Sequence, residues 1–246
     1  MHTRPMLMNT GNFILIDGIV GSGKTTVIQA MFNTLQAKGL RCFRLQDWKG
    51  ERPPTFAEIA DFDVYFVFEP TRQWIGAALR EEMSQTEHPY GGEELAHAFA
   101  LDRQIMYLRL ILPALKAGKT VVQDRGVSTS IIYQPIQPYS LSLEQILNLP
   151  GNKLALEHAP HHLILTSTPV ERVVDRIRLR PASQGAAGVF ADVELARRVD
   201  ARYREPWFRE LFESHGTKIH TLDTSKTLEE SQANAVALIS ELLTTP

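Results

Sequence analysis

Short apolar runs alternate with helical patterns along most of the chain. Phe13–Ile16 (FILI) ends in a glycine-rich turn, and Thr25–Leu35 then carries helical periodicity. Further short apolar runs recur at Arg41–Leu45, Val64–Phe68, Thr120–Gln123, Leu163–Thr166 and Ile219–Leu222. Helical patterns separate most of them, with long ones over Glu93–Lys116 and Val193–Glu213, and Leu228–Leu243 reads as an amphipathic closing helix. Short buried strands alternating with helices imply right-handed crossovers, hence an α/β fold with a mainly parallel sheet covered by helices on both faces. Such sheets bind ligands at the carboxyl ends of their strands, so the chemistry is expected just after each apolar run. Two stretches break the rhythm. Asp47–Phe62 holds a proline pair and a short amphipathic segment, and reads as a surface insertion. Pro181–Gly188 (PASQGAAG) is small and glycine-rich between two basic helices, which predicts a mobile lid over about 181–192.

Composition narrows the setting. The 246 residues suit one α/β domain, with 43% hydrophobic and 22% charged positions. A formal net charge of −2 argues against a general nucleic-acid or anionic-membrane binder, which would carry a basic excess. The single cysteine, Cys42, lies in an apolar run and reads as a buried, inert thiol. No run of about 18 apolar residues is present, so no membrane span is expected. Met1–Thr10 lacks an apolar signal core, which makes the cytoplasm the expected location.

The first chemistry-bearing motif follows the first strand. Gly18-Ile19-Val20-Gly21-Ser22-Gly23-Lys24-Thr25 satisfies GxxxxGK[ST], a phosphate loop (P-loop). Its glycines allow backbone N–H groups to approach phosphate oxygens, and the following helix turns its positive end toward the anion. Gly18, Gly21, Ser22, Gly23, Lys24, Thr25 and Thr26 are therefore the candidate ATP phosphate-binding residues. Lys24 is placed to span the β- and γ-phosphates, and the Thr25 hydroxyl to ligate Mg²⁺. The motif specifies nucleotide binding rather than one reaction, because GTPases and motor ATPases share it.

Five further segments resemble the thymidylate kinase family, in order and across most of the chain. They are Phe68-Glu69-Pro70-Thr71 with Ile75-Gly76 and Leu79-Arg80; Phe99-Ala100-Leu101-Asp102-Arg103; Asp124-Arg125 with Thr129 and Tyr133-Gln134; Arg176–Arg180; and Ala201-Arg202-Tyr203 leading to Ile219–Asp223. The resemblance implies a P-loop kinase that passes phosphate from MgATP to dTMP and forms a homodimer through helices. It implies that Arg103 and Arg125 grip the phosphate or base of the acceptor nucleotide, that Glu69 sits at its sugar, and that Tyr133 and Gln134 lie along its base. Arg80, Phe99, Thr129 and Trp74 belong to the same implied acceptor site, Trp74 with a core position as the alternative. Asp124 would hold Mg²⁺ directly or through water. Arg180, then Arg176, are the candidate catalytic arginines of the lid, since this P-loop carries none.

Two features depart from that family. An acidic residue is usual just before the second P-loop glycine, where this chain has Val20. Val20, together with Glu69, Pro70 and Trp74, resembles deoxynucleoside kinases, in which the Glu is a general base for a neutral sugar hydroxyl. That leaves a deoxynucleoside kinase as the alternative. A P-loop regulatory ATPase or GTPase is a more distant one, and no guanine-reading NKxD tetrad supports it.

Overall fold

A computed structural model describes residues 11–83, 89–178 and 193–244. Six strands occur among them: β1 (Phe13–Asp17), β2 (Cys42–Arg44), β3 (Val64–Phe68), β4 (Thr120–Asp124), β5 (His162–Ser167) and β6 (Lys218–Asp223). They form one parallel sheet in the order β2-β3-β4-β1-β5-β6. Each expected strand is present, within a few residues at its ends, and the helices between and after them begin with α1 (Lys24–Ala37), α2 (Ile75–Ala78), α3 (Gly92–Met106), α4 (Leu112–Lys116), α5 (Val127–Tyr133), α6 (Leu143–Asn148), α7 (Pro150–Glu157) and α8 (Val170–Arg178).

Alternation along the strands divides the core in two. Phe13, Leu15, Tyr65, Val67, Val121 and Leu163 face one layer, while Ile14, Ile16, Val64, Phe66, Val122 and Ile164 face the other. The second layer is closed by α1 (Lys24–Ala37), and its apolar residues meet Ala235, Ile239 and Leu242 of the C-terminal helix Leu228–Thr244. Strands buried on both faces in this way read as continuous apolar runs, which is why they were legible.

Two long helical patterns are broken by proline. Over 92–116, α3 (Gly92–Met106) runs into a wide π-type turn, Tyr107–Ile111, before α4 (Leu112–Lys116). Pro113 lacks an N–H and its ring crowds the carbonyl four residues earlier, so the turn ahead of it widens. The second pattern splits at Glu205 into Val193–Arg204 and Pro206–Ser214, with Pro206 starting the latter.

The 47–62 segment is fastened more firmly than a surface insertion requires. Trp48, Phe56 and Phe62 pack against the main core and Ile59 is buried in it. The Tyr65 hydroxyl donates to the Ile59 carbonyl at 2.7 Å, and Arg109 Nε donates to the Pro53 carbonyl at 2.9 Å. The 181–192 stretch and Arg180 lie outside the described residues.

Candidate active site

The P-loop leaves β1 and enters α1. Gly23 takes a left-handed φ of 94° at the helix start, a conformation open to glycine and costly for other residues. A Cβ on Gly18 would stand 2.5 Å from the Thr166 hydroxyl. Lys24 reaches back over the loop and donates to the carbonyls of Gly18 and Ile19 at 2.8 and 2.7 Å. The Ser22 hydroxyl is an internal strut, hydrogen-bonded to the Ile19 carbonyl at 2.7 Å and to the Thr166 hydroxyl at 2.6 Å. Thr25 is exposed and Thr26 half-buried on the first turn of α1. Arg176 joins this side of the cleft from α8 (Val170–Arg178): Nη2 donates to the Thr224 carbonyl at 2.9 Å, and Nη1 lies 3.5 Å from the Gly21 carbonyl.

Asp17, the last residue of β1, was not anticipated. It is fully buried and accepts from the Gly18 N–H at 2.8 Å, the Thr129 hydroxyl at 2.7 Å and the Ser128 hydroxyl, with Arg125 Nη1 at 3.5 Å. Ser128 and Thr129 belong to α5 (Val127–Tyr133). One carboxylate thus ties the P-loop to the Asp124-Arg125 turn and the helix after it. The available signal was an acid closing an otherwise wholly apolar buried run. Val20 N–H donates to the Tyr133 hydroxyl at 3.3 Å, so loop and helix meet a second time.

The Glu69-Pro70-Thr71 segment is clamped by the Asp102-Arg103 pair of α3. Asp102 accepts from the Thr71 N–H at 2.8 Å and its hydroxyl at 2.6 Å. Arg103 donates to Glu69 at 2.7 Å, to Ser130 at 3.0 Å and to Asn152. Gln123 donates to the other Glu69 oxygen at 2.7 Å. Arg103 is only 1% exposed, so it forms the floor beneath the cleft and is not presented openly in it. Burial pushes the Glu69 carboxyl up, with Arg103 pulling the other way. Arg80 closes the clamp from above: Nε donates to the carbonyls of Pro70 and Thr71 at 2.7 and 2.9 Å, and its guanidinium lies over the Phe68 ring.

The remaining acceptor-side candidates spread around this floor. Phe99 is half-buried one turn before Arg103. Gln134 is buried and its Oε1 has no hydrogen-bond partner. Trp74 is 48% exposed with the Arg109 guanidinium 5.4 Å from its ring centre, which removes the core alternative.

Asp124 ends β4, paired with Ile16 on one side and Phe68 on the other. Its Oδ1 is sealed from solvent with no hydrogen-bond partner. Burial raises its carboxyl above the ordinary range, and Lys24 and Arg125 oppose the rise. An orphaned carboxylate oxygen facing the P-loop lysine is the donor type a hard cation requires, and together with Thr25 it fits a Mg²⁺ site.

A P-loop at the end of the first strand of a parallel sheet, with Arg125 and Arg176 bonded beside it, defines the P-loop class of nucleotide-binding proteins. The family model described as thymidylate kinase matches residues 55–235, beginning after the P-loop. A probable thymidylate kinase of Pyrococcus abyssi is 30% identical over 95% of this chain and 98% of its own length. The thymidylate kinase of Halothermothrix orenii is 28% identical over 79% and 83%, and a probable thymidylate kinase of Thermococcus kodakarensis 29% over 94% and 98%. The chain belongs to the thymidylate kinase family.

Proposed function

We propose that the protein transfers the γ-phosphoryl group of MgATP to dTMP, giving ADP and dTDP. The observation that carries this reading is the junction at Asp17, where the P-loop and the helix bearing Thr129 and Tyr133 meet on one carboxylate. In this reading the donor and acceptor phosphates meet above that junction. A phosphate oxygen of dTMP attacks the γ-phosphorus in line, and the bond to the β–γ bridging oxygen breaks as ADP leaves. The attacking oxygen is already anionic, so no general base is needed. Lys24, Arg125 and a lid-side arginine, Arg176 or Arg180, offset the charge on the transferring group. Bound Mg²⁺, held by Thr25 and Asp124, would neutralise charge on the β- and γ-phosphates.

The floor also suits a pyrimidine with an amide edge. Ser130 and Gln134 are four apart and share a helical face, and Arg103 reaches Ser130. Arg103 Nε and Gln134 Oε1 are both buried without partners. A ring carbonyl and the neighbouring N–H of thymine would satisfy this donor and this acceptor. Glu69, Phe99, Arg80 and Trp74 line the acceptor side in the same reading.

No helix among the described residues is long and apolar enough to cross a membrane, and a cytoplasmic enzyme accords with its nucleotide substrates. A homodimer also fits. Leu101 of α3 and Leu108 of the π-type turn that follows it are 45% and 58% exposed, apolar side chains that a second copy would cover.

The test is ADP release with MgATP and, in parallel, dTMP, dUMP, dCMP, thymidine and deoxycytidine. We expect turnover with dTMP and silence with thymidine. Turnover with a nucleoside and none with dTMP would overturn the reading and hand the site to Glu69 as a base.

A further inference from the structure

Helix α5 carries a carbonyl that its own backbone cannot satisfy. In a regular helix the Ile131 carbonyl would accept from the N–H of residue 135, but residue 135 is proline and has none. Here α5 passes into a tight turn over Gln134–Ile136. The missing donor comes from 71 residues away. Arg202 Nη2 donates to the Ile131 carbonyl at 3.0 Å, and its Nε donates to the Ile132 carbonyl at 2.9 Å. The Trp207 ring lies against the guanidinium at 5.3 Å.

The helix that supplies Arg202, Val193–Arg204, meets both sides of the cleft. Leu195, Ala196 and Val199 share a small hollow with Ile19 and Val20 of the P-loop and with Tyr133. Tyr203 is buried next to Arg202 on the same helix. The two carbonyls held by Arg202 immediately precede Tyr133 and Gln134.

We propose that Arg202 is a positioning residue for the acceptor pocket: its guanidinium replaces the hydrogen bond that Pro135 denies to α5, and so sets the orientation of Tyr133 and Gln134. It acts through the helix end and does not touch substrate. The inference rests on the reading of α5 as the acceptor helix.

The test combines kinetics with hydrogen–deuterium exchange. Arg202→Ala should raise the KM for dTMP about tenfold, the scale of losing charged hydrogen bonds at a helix end, and change the KM for ATP less than about twofold. In the ligand-free protein, amides of 127–137 should exchange faster than in wild type, and those of α1 should not. Adding Pro135→Ala to Arg202→Ala returns an N–H donor at residue 135 and should recover most of the acceptor affinity. Should Arg202→Ala not fold, Arg202→Lys, which keeps the charge but loses the fork, should show a smaller shift in the same direction. Unchanged exchange in α5, equal increases in both KM values, or no recovery on restoring the donor would overturn the proposal. Absence of dTMP turnover in wild type would instead overturn the functional reading, and the exchange result would still decide the role of Arg202.

Discussion

Glu69 directly follows β3 and Asp124 ends the neighbouring β4, and the Glu69 N–H donates to the Asp124 carbonyl at 3.0 Å, yet the two carboxylates live differently. Both oxygens of Glu69 are engaged, one by Arg103 and one by Gln123, and Arg103 is engaged in turn by Ser130 and Asn152. Asp124 keeps a sealed oxygen with no partner. Burial raises both carboxyls. The contrast separates framework from chemistry. A buried carboxylate supplied with its own donors holds the chain together, and one left without them is shaped for a cation that arrives with a substrate.

Variants can break or sharpen that comparison. Lys24→Ala on the catalytic side should lower kcat by about 10³-fold, the scale of removing a preorganised charge from the transferring group, with an unchanged circular dichroism spectrum. A fully active variant would remove the P-loop assignment. Arg103→Ala strikes the framework side. It leaves Glu69 buried without its counter-ion and should cost about 3–5 kcal/mol, a fall in Tm on the order of 10 °C, together with a raised KM for dTMP. Asp124→Asn should do the reverse: kcat falls by about 10²-fold while Tm holds or rises, because an unpaired buried charge has been neutralised. A large loss of Tm in Asp124→Asn with activity retained would erase the distinction.

The smallest effect lies at the opposite end of the sheet. His162 and His220 contact each other at 3.1 Å, and burial followed by that neighbour lowers the His162 pKa from 6.5 to about 4. The folded state keeps His162 neutral while the unfolded chain takes up a proton. Its contribution is therefore present above about pH 6.5 and is lost as pH falls toward about 4. His162→Gln should flatten the fall of Tm between about pH 7 and pH 5, with activity near neutrality unchanged. An identical slope in the variant would assign the acid loss to other groups.

The sheet was legible because each strand announces itself locally. β1 and β3, five residues buried on both faces and followed by Gly18 and Glu69, need no distant partner to be read, and the shorter or more polar β2 and β6 are legible from their place in the alternation. The P-loop was legible for the same reason, since its geometry is written in eight consecutive residues. The acceptor-side motifs were visible as a set, but their wiring was not. Asp102 carried no expected role, and in the fold it holds Thr71; Arg103, expected on the acceptor nucleotide, also holds Glu69. The long helical patterns also misled at Pro113 and Pro206, where periodicity continues through a backbone that has lost a donor.

The sequence by itself determined the parallel α/β plan, the nucleotide loop and the kinase family, all of which rest on short-range periodicity and contiguous motifs. Tertiary structure alone decided which charged groups are spent and which are left to act. Asp17 meets Ser128 across 111 residues, Arg103 meets Asn152 across 49, and Arg202 reaches Ile131 across 71. Whether a buried carboxylate or arginine is framework or chemistry depends on the donors and acceptors that folding brings to it, and those pairings have no signature in local pattern.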